Sequence, residues 1–409
     1  MERISRRAAV AETMAGVPEP EVDAGAAAPL RAARVATAAV FTLHAALFAS
    51  WTPHVPLVKD HLGLTAGALG LALLGAPVGS VLATLTAGGA VSRWGSRRVM
   101  LVTLLGYASS SVGLGLAGSA AGLFAAMLVW GGFQGALDIA MNAQGVAVQR
   151  RYGRPILASF HAAWSLGGFA GTGLGVLALA GGLDLTRQMA IFAGIAVLAA
   201  GPLVRPLLAD DHAVEQQRLA WPWRNRRLAP LAALMFAGLL CEGAAADWAA
   251  VYLRDSLAAP PQLAGSGYAA FAVAMFAGRA LGDRWSARFG GLPVVGVLAG
   301  VGGAGMAVAL AVGAPWLALA GLAAFGLGLS CVVPVVFSAA AEVPGSHPGP
   351  AIAGVVTGGW AGFLLGPPLI GLLAQTVSLP WALALLPVLC GAMVAVAVSA
   401  NRPARAGAP

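Results

Sequence analysis

Twelve apolar segments, six between Arg34 and Pro206 and six between Leu228 and Ala400, each supply the roughly 20 residues that a helix needs to cross a hydrocarbon core. In lipid a spanning segment must satisfy its own backbone hydrogen bonds, so such segments fold as helices. Composition agrees: 59% of residues are hydrophobic, 10% are charged and the mean hydropathy is +0.81, whereas about a quarter of the residues in soluble domains are charged. The expected fold is an all-α polytopic membrane protein of 12 transmembrane helices in two six-helix bundles. Residues 1–33 mix Arg, Glu, Pro, Gly and Ala without an apolar core, the pattern of a disordered tail and not of a cleavable signal peptide. The expected division is then a tail over 1–33, bundles over 34–206 and 228–400, a linker over 207–227 and a second tail over 401–409.

Positive charge orients this arrangement. With both termini inside, the inner-side segments hold twenty-one arginines, Arg279 among them, and the outer side holds only Lys59, Arg187 and Arg254. Short cytoplasmic loops are the ones that keep Lys and Arg, so both termini are expected in the cytoplasm of a bacterial inner-membrane protein. The net charge of +8 is then a matter of topology and membrane lipids, with no nucleic-acid partner implied. Trp221 and Trp223, in the basic run of the linker, suit the headgroup level. Cys241, Cys331 and Cys390 have no metal or redox spacing and read as small packing residues; no cofactor and no metal site is expected.

The two halves are related. Gly167-Gly168-Phe169-Ala170-Gly171-x-x-x-Gly175 recurs 191 residues later as Gly358-Gly359-Trp360-Ala361-Gly362-x-x-x-Gly366. The same offset carries Ser92-Arg93-Trp94 onto Asp283-Arg284-Trp285 and Gly135 onto Gly326. Parallel repeats of six helices point to a secondary transporter with a substrate site between the halves near the bilayer midplane.

Between the second and third helices lies Gly88-Gly89-Ala90-Val91-Ser92-Arg93-Trp94-Gly95-Ser96-Arg97-Arg98, which resembles the G-x-x-x-D-R-x-G-R-R loop of the major facilitator superfamily (MFS), with Ser92 and Ser96 in place of the usual Asp and Arg. Its counterpart, Arg279-Ala280-Leu281-Gly282-Asp283-Arg284-Trp285, keeps the acid. Arg93, Arg97, Arg279 and Asp283 are therefore inner-gate candidates, Arg279 and Asp283 being four residues apart on one helix face. Asp138-x-x-x-Asn142, the run Ser159 to Gly168 and Glu242-x-x-x-x-Asp247-Trp248 resemble the YbjJ-like bacterial branch of that superfamily. The resemblance implies a twelve-helix fold and proton-coupled alternating access, and no particular substrate. Antiporters of the superfamily carry G-x-x-x-G-P in helix five; here Val176 follows Gly175, which weakens a multidrug-efflux reading.

Asp138 lies 12 residues, about 18 Å, from Arg150, near the centre of the membrane. Gln134, Asp138 and Asn142 repeat at four-residue spacing as one polar stripe facing the inter-domain cavity. Glu242 is about 22 Å from Arg227, and Asp247 lies nearer the outer mouth. Ionised carboxylates in a membrane are costly unless paired. No Arg or Lys is expected at that depth, so His44 and His161 are the only cationic partners on offer. Asp138, Glu242, Asp247 and His161 are the proton-coupling candidates, although a cationic substrate or a sodium ion satisfies the same acids. His161, Trp164 and Ser165 share one helix face, and His44 and Trp51 lie on a stripe of the first helix. With Gln134, Asn142, Trp248 and Trp360 they complete the candidate cavity lining, flat rings being suited to a ring, a sugar or an amphipathic metabolite. The expected protein is a monomeric, non-enzymatic secondary transporter of a small organic solute. Export by proton antiport is the alternative, and a solute sensor signalling through the 207–227 segment ranks behind both.

Overall fold

The computed structural model describes residues 24–153, 156–208, 227–344 and 348–400, and the side chain of Asp283 is outside what it describes. Twelve spanning units follow one another. The first half comprises α1 (Ala24–Trp51, continued by Val55–His61), α2 (Ala66–Leu73 and Gly75–Trp94), α3 (Ser96–Ser110 and Val112–Leu116), α4 (Ala120–Tyr152), α5 (Leu157–Ala180) and α6 (Leu185–Val204). The second comprises α7 (Ala229–Val251, continued by Tyr252–Ser256), α8 (Pro261–Gly265 and Gly267–Phe289), α9 (Gly291–Val312), α10 (Pro315–Leu329 and Val332–Ala341), α11 (Pro348–Thr376) and α12 (Leu379–Leu383 and Leu385–Ala400). Among the described residues, eleven helices are long and apolar enough to cross a membrane. The main segment of α8 falls short because Arg279, Asp283, Arg284 and Arg288 lie on it.

The first helix is already formed at Ala24, the first described residue, ten residues before the boundary expected at Arg34. The cause is local: Ala24-Gly25-Ala26-Ala27-Ala28 and Ala32-Ala33 are mostly alanine, the strongest helix former. Residues 1–23 of the expected tail, 209–226 of the expected linker with Trp221 and Trp223, and the segment 401–409 lie outside the described residues. In the first half, the helix starts on the face away from the termini are capped by side chains. Thr65 accepts from the Ala68 amide at 3.2 Å, Ser119 from Gly122 at 3.1 Å and Asp184 from Arg187 at 2.9 Å. The tight turns α2–α3 and α8–α9 pivot on Gly95 (φ 80°) and Gly290 (φ 86°), backbone angles that favour glycine.

The two halves repeat each other's packing. In the first half α1 lies on α5, α2 on α4, and α3 on α4 and α6; in the second, α7 lies on α11, α8 on α10, and α9 on α10 and α12. The recurrent glycines explain the match. A Cβ on Gly167, Gly171 or Gly175 would run into the backbone of Thr42, Ala46 or Ser50 on α1. On Gly358, Gly362 or Gly366 it would meet Ala232, Phe236 or Leu240 on α7, each 190 residues beyond its counterpart. Likewise Gly135 abuts Ser80 of α2, and Gly326 abuts Phe271 of α8, 191 residues on. Without a hydrophobic drive between helices in lipid, such close backbone approach gains the dispersion energy that holds a bundle together. Across the halves, α2 meets α11 and α5 meets α8, which leaves α1, α4, α7 and α10 to face one another around a central space.

Candidate functional site: the cavity between the bundles

A cavity of about 800 Å³ occupies that space. The polar stripe of α4 is longer than the three residues expected of it. Trp130, Gln134, Asp138, Asn142, Val146 and Arg150, each four residues after the last, all line the wall. Asn142 Nδ2 donates to the Asp138 carbonyl at 2.8 Å and to its Oδ1 at 3.2 Å. From α1 come Phe41, His44, Phe48 and Trp51, from α5 His161 and Trp164, from α7 Glu242 and Asp247, and from α11 Trp360 and Phe363. Tyr268 and Arg279 of α8 complete the ring. Trp248, expected to line the cavity, instead lies wholly buried in the core, where a Cβ on Gly371 of α11 would touch its ring.

Arg279 is the main correction. The spacing placed it at the inner gate beside Asp283 and left no arginine at depth. It sits instead 12 residues, about 18 Å, into the long segment of α8, and ten residues, about 15 Å, from its end. Its Nη1 donates to Ser165 Oγ on α5 at 2.9 Å, and its Nη2 stands 3.8 Å from Glu242 Oε2 on α7. The first contact crosses between the halves; the second stays within one. At 3.8 Å the charge pair is an ion pair without a full hydrogen bond. The misplacement has a plain cause: the loop-like motif Gly282-Asp283-Arg284 lies inside the helix, which runs on to Phe289, and Arg279 precedes Asp283 by a full turn and looks inward. Arg93, at the end of α2, is exposed, its guanidinium 5.8 Å from the ring of Trp94, and Arg97 is half-buried in the first turn of α3.

A second polar cluster closes the cavity at the face away from the termini. Lys59 Nζ meets Asp255 Oδ2 at 2.6 Å, and Arg254 Nη2 meets Asp60 Oδ1 at 2.9 Å, both between α1 and α7. Arg254 also holds its neighbour Asp255 at 2.6 Å. Beside them Gln375 Nε2 of α11 donates to Thr65 Oγ1 at the start of α2 at 2.7 Å. At the opposite end the lining extends to Arg150 and Leu157, so the cavity reaches toward the face that carries the termini. In the sequence Lys59 and Arg254 were only the rare positive charges of the outer side; the signal for their role was the adjacent acid in Lys59-Asp60 and Arg254-Asp255.

Further signals lie on α1, α3, α4 and α5. Trp164 Nε1 donates to His44 Nδ1 at 3.1 Å. Next to His44 lies the ring of Tyr107, tilted by 41° with centroids 5.2 Å apart, and Tyr107 in turn stacks on Trp130 at 5.2 Å. His44 Nε2, Tyr107 Oη and Trp130 Nε1 are buried and have no hydrogen-bond partner among the described residues, each an unpaired polar group of the kind that costs about 1–3 kcal/mol when left unsatisfied.

The profile of the major facilitator superfamily matches residues 36–342. An uncharacterized MFS-type transporter of Yersinia pestis is 33% identical over 383 residues, covering 90% of this chain and 94% of that protein. The membrane protein MosC of Rhizobium meliloti is 31% identical over 350 residues, with 85% of each chain covered. The fold matches the crystal structure of the nucleoside transporter NupG (D323A mutant) with a TM-score of 0.73 at 13% identity, covering 90% of this chain and 99% of that one. It matches the E. coli fucose:proton symporter FucP (N162A) with a TM-score of 0.59 at 13% identity, covering 90% and 98%. Two pseudo-symmetric six-helix bundles around a central polar cavity, with these relatives, make the chain a member of the major facilitator superfamily.

Proposed function

We propose that this protein moves a small, ring-bearing organic solute across the bacterial inner membrane by proton-coupled alternating access, with both termini in the cytoplasm. The observation that carries the coupling is the position of Arg279, shared between Ser165 of one half and Glu242 of the other. An ionised Glu242 draws the guanidinium to itself; a protonated Glu242 leaves it to Ser165 and to the contact between bundles. Proton occupancy and the inter-bundle contact are then linked through one side chain. Asp138, whose side chain meets the neutral amide of Asn142, and Asp247 are the further acids of the same cavity. His161 stands beside them, edge-on to Phe41 at 5.6 Å.

The aromatic wall supports the solute class. Phe48, Trp51, Trp130, Trp164, Tyr268 and Trp360 line a space large enough for a metabolite. The two fold neighbours are named for a nucleoside and for fucose with a proton, both rings that carry oxygens. The test is reconstitution in liposomes, with tracer accumulation and solid-supported-membrane currents recorded across a metabolite library under an imposed pH gradient. Accumulation of a solute against its gradient is expected for wild type and is expected to vanish in Asp138→Asn/Glu242→Gln, with solute exchange at equal pH retained. Accumulation that ignores the pH gradient, or that survives both neutralisations, removes proton coupling.

A further inference from the structure

The contact between Trp164 and His44 fixes a tautomer. An indole N–H only donates, so His44 Nδ1 accepts and the ring proton sits on Nε2. That makes three consecutive rings of the first half, His44, Tyr107 and Trp130, each carry a buried N–H or O–H that meets no acceptor among the described residues. Two of them, His44 Nε2–H and Trp130 Nε1–H, cannot accept at all, so they cannot satisfy each other. Such a set is complementary to an acceptor, an oxygen with free lone pairs and no positive charge. His44 and Trp130 are also wall residues of the central cavity, which gives a solute in that space a path to them. The three helices involved, α1, α3 and α4, all belong to the half that lacks Arg279 and Glu242.

We propose that His44 and Trp130, with Tyr107 packed between them behind the cavity wall, form a hydrogen-bond-donating subsite for an oxygen of the transported solute, with Trp164 as the positioning residue that keeps the His44 proton on Nε2. The subsite selects a neutral ring with a hydroxyl, ether or carbonyl oxygen on the edge that enters the first half, while the stacked faces of Phe48 and Trp130, centroids 6.1 Å apart, continue the aromatic wall toward Tyr268. This inference rests on the reading of the cavity as a solute site, but not on proton coupling.

The test measures equilibrium binding to the purified full-length protein in nanodiscs, by calorimetry, for a probe panel of hexoses, cyclitols and nucleosides with the corresponding deoxy analogues. In wild type, at least one ring is expected to bind tenfold or more tighter than its analogue lacking a single oxygen. That ratio should fall to about one in Trp130→Phe and in His44→Phe, which keep a ring and remove the donor. Trp164→Phe, which frees the tautomer while keeping an aromatic ring in the wall, should reduce the ratio only in part, and a [15N]indole spectrum should show the Trp130 N–H shifting with the oxygenated probe alone. Equal ratios in wild type and variants overturn the proposal. So does binding with no preference for any oxygen, the result expected if a resident water fills the subsite. So does binding by charged or acyclic solutes alone, or by none of the panel. Oxygen-dependent binding without transport would keep the subsite and sink the transporter reading; transport without oxygen dependence would do the reverse.

Discussion

The polar cluster between α1 and α7 should set how strongly the protein favours the state in which the face away from the termini is closed. Two ion pairs cross the halves there. Lys59–Asp255 has both side chains about one-fifth exposed, whereas Arg254–Asp60 joins a mostly covered guanidinium to a carboxylate that is 63% exposed. Exposed pairs contribute about 0.2–1 kcal/mol. The first pair is more enclosed and short, so it belongs at the upper end, about 1 kcal/mol; the second is screened by water and belongs near 0.5 kcal/mol. Removing both by Asp60→Asn/Asp255→Asn should therefore weaken closure by about 1.5 kcal/mol, close to tenfold in the ratio of closed to open molecules. Spin labels on His61→Cys and Gln262→Cys, exposed positions of the two halves at this face, would report it as a longer-distance population in double electron–electron resonance. Cys241, Cys331 and Cys390 would first be replaced. Salt should act in the same direction in wild type and much less in the variant, since the Debye length is about 3 Å at 1 M. A distance distribution unmoved by both the substitutions and salt would show that apolar packing alone closes this face.

Arg279→Lys should abolish gradient-driven accumulation, because one ammonium cannot serve Ser165 and Glu242 with the planar fork of a guanidinium; full accumulation by this variant would refute the shared contact. Ser165→Ala removes only the partner in the other half and should shift the same spin-label distances without preventing solute binding, which calorimetry checks. Gly171→Leu and Gly362→Leu should each cost several kcal/mol, because the new side chain meets the backbone of Ala46 or Phe236 where overpacking cannot be relieved by a rotamer. Loss of a monodisperse peak on size exclusion is the expected result for both, and a well-behaved variant at either site would contradict the packing seen for the repeat.

The fold was legible because membrane physics writes it in long periods. Twenty apolar residues cannot be accommodated in lipid as anything but a helix, and the glycines that permit close approach recur with the bundle they hold. The polar stripe of α4 was readable for the same reason, since Gln134, Asp138 and Asn142 mark one helix face wherever that helix is packed. What was not readable depends on rotation and on pairing across space. Arg279 and Asp283 share a face by spacing, yet the direction of Arg279 is decided by which helix stands opposite, α5 with Ser165 and α7 with Glu242. Trp248 carries the same uncertainty in reverse: beside Asp247 in sequence, it turns into the core while its neighbour lines the cavity. Lys59 and Asp255 are 196 residues apart; the acid–base neighbours Lys59-Asp60 and Arg254-Asp255 mark two polar ends, but only the fold decides that these ends meet.

The duplication explains the scaffold but not the chemistry, and the contrast says where selectivity must come from. In the register that superposes the packing glycines, Asp138 corresponds to Leu329, Trp130 to Gly321, Arg279 to Gly88 and Ser165 to Val356. With α1 and α7 in their own register, His44 corresponds to Leu234 and Glu242 to Thr52. Every group argued here to handle a proton, a solute oxygen or the contact between halves is therefore present in one half only. A site built from two equivalent walls would bind a solute in two equivalent poses and move no proton vectorially. Here the first half offers unpaired donors on aromatic rings and one carboxylate, and the second offers an arginine with two carboxylates. A solute bridging them has one orientation. In the proposed mechanism, rocking of the bundles carries that oriented solute past a charge pair whose geometry depends on whether Glu242 holds a proton. On that reading the symmetry of the glycines supplies the motion, and the asymmetry of the side chains supplies its direction of coupling.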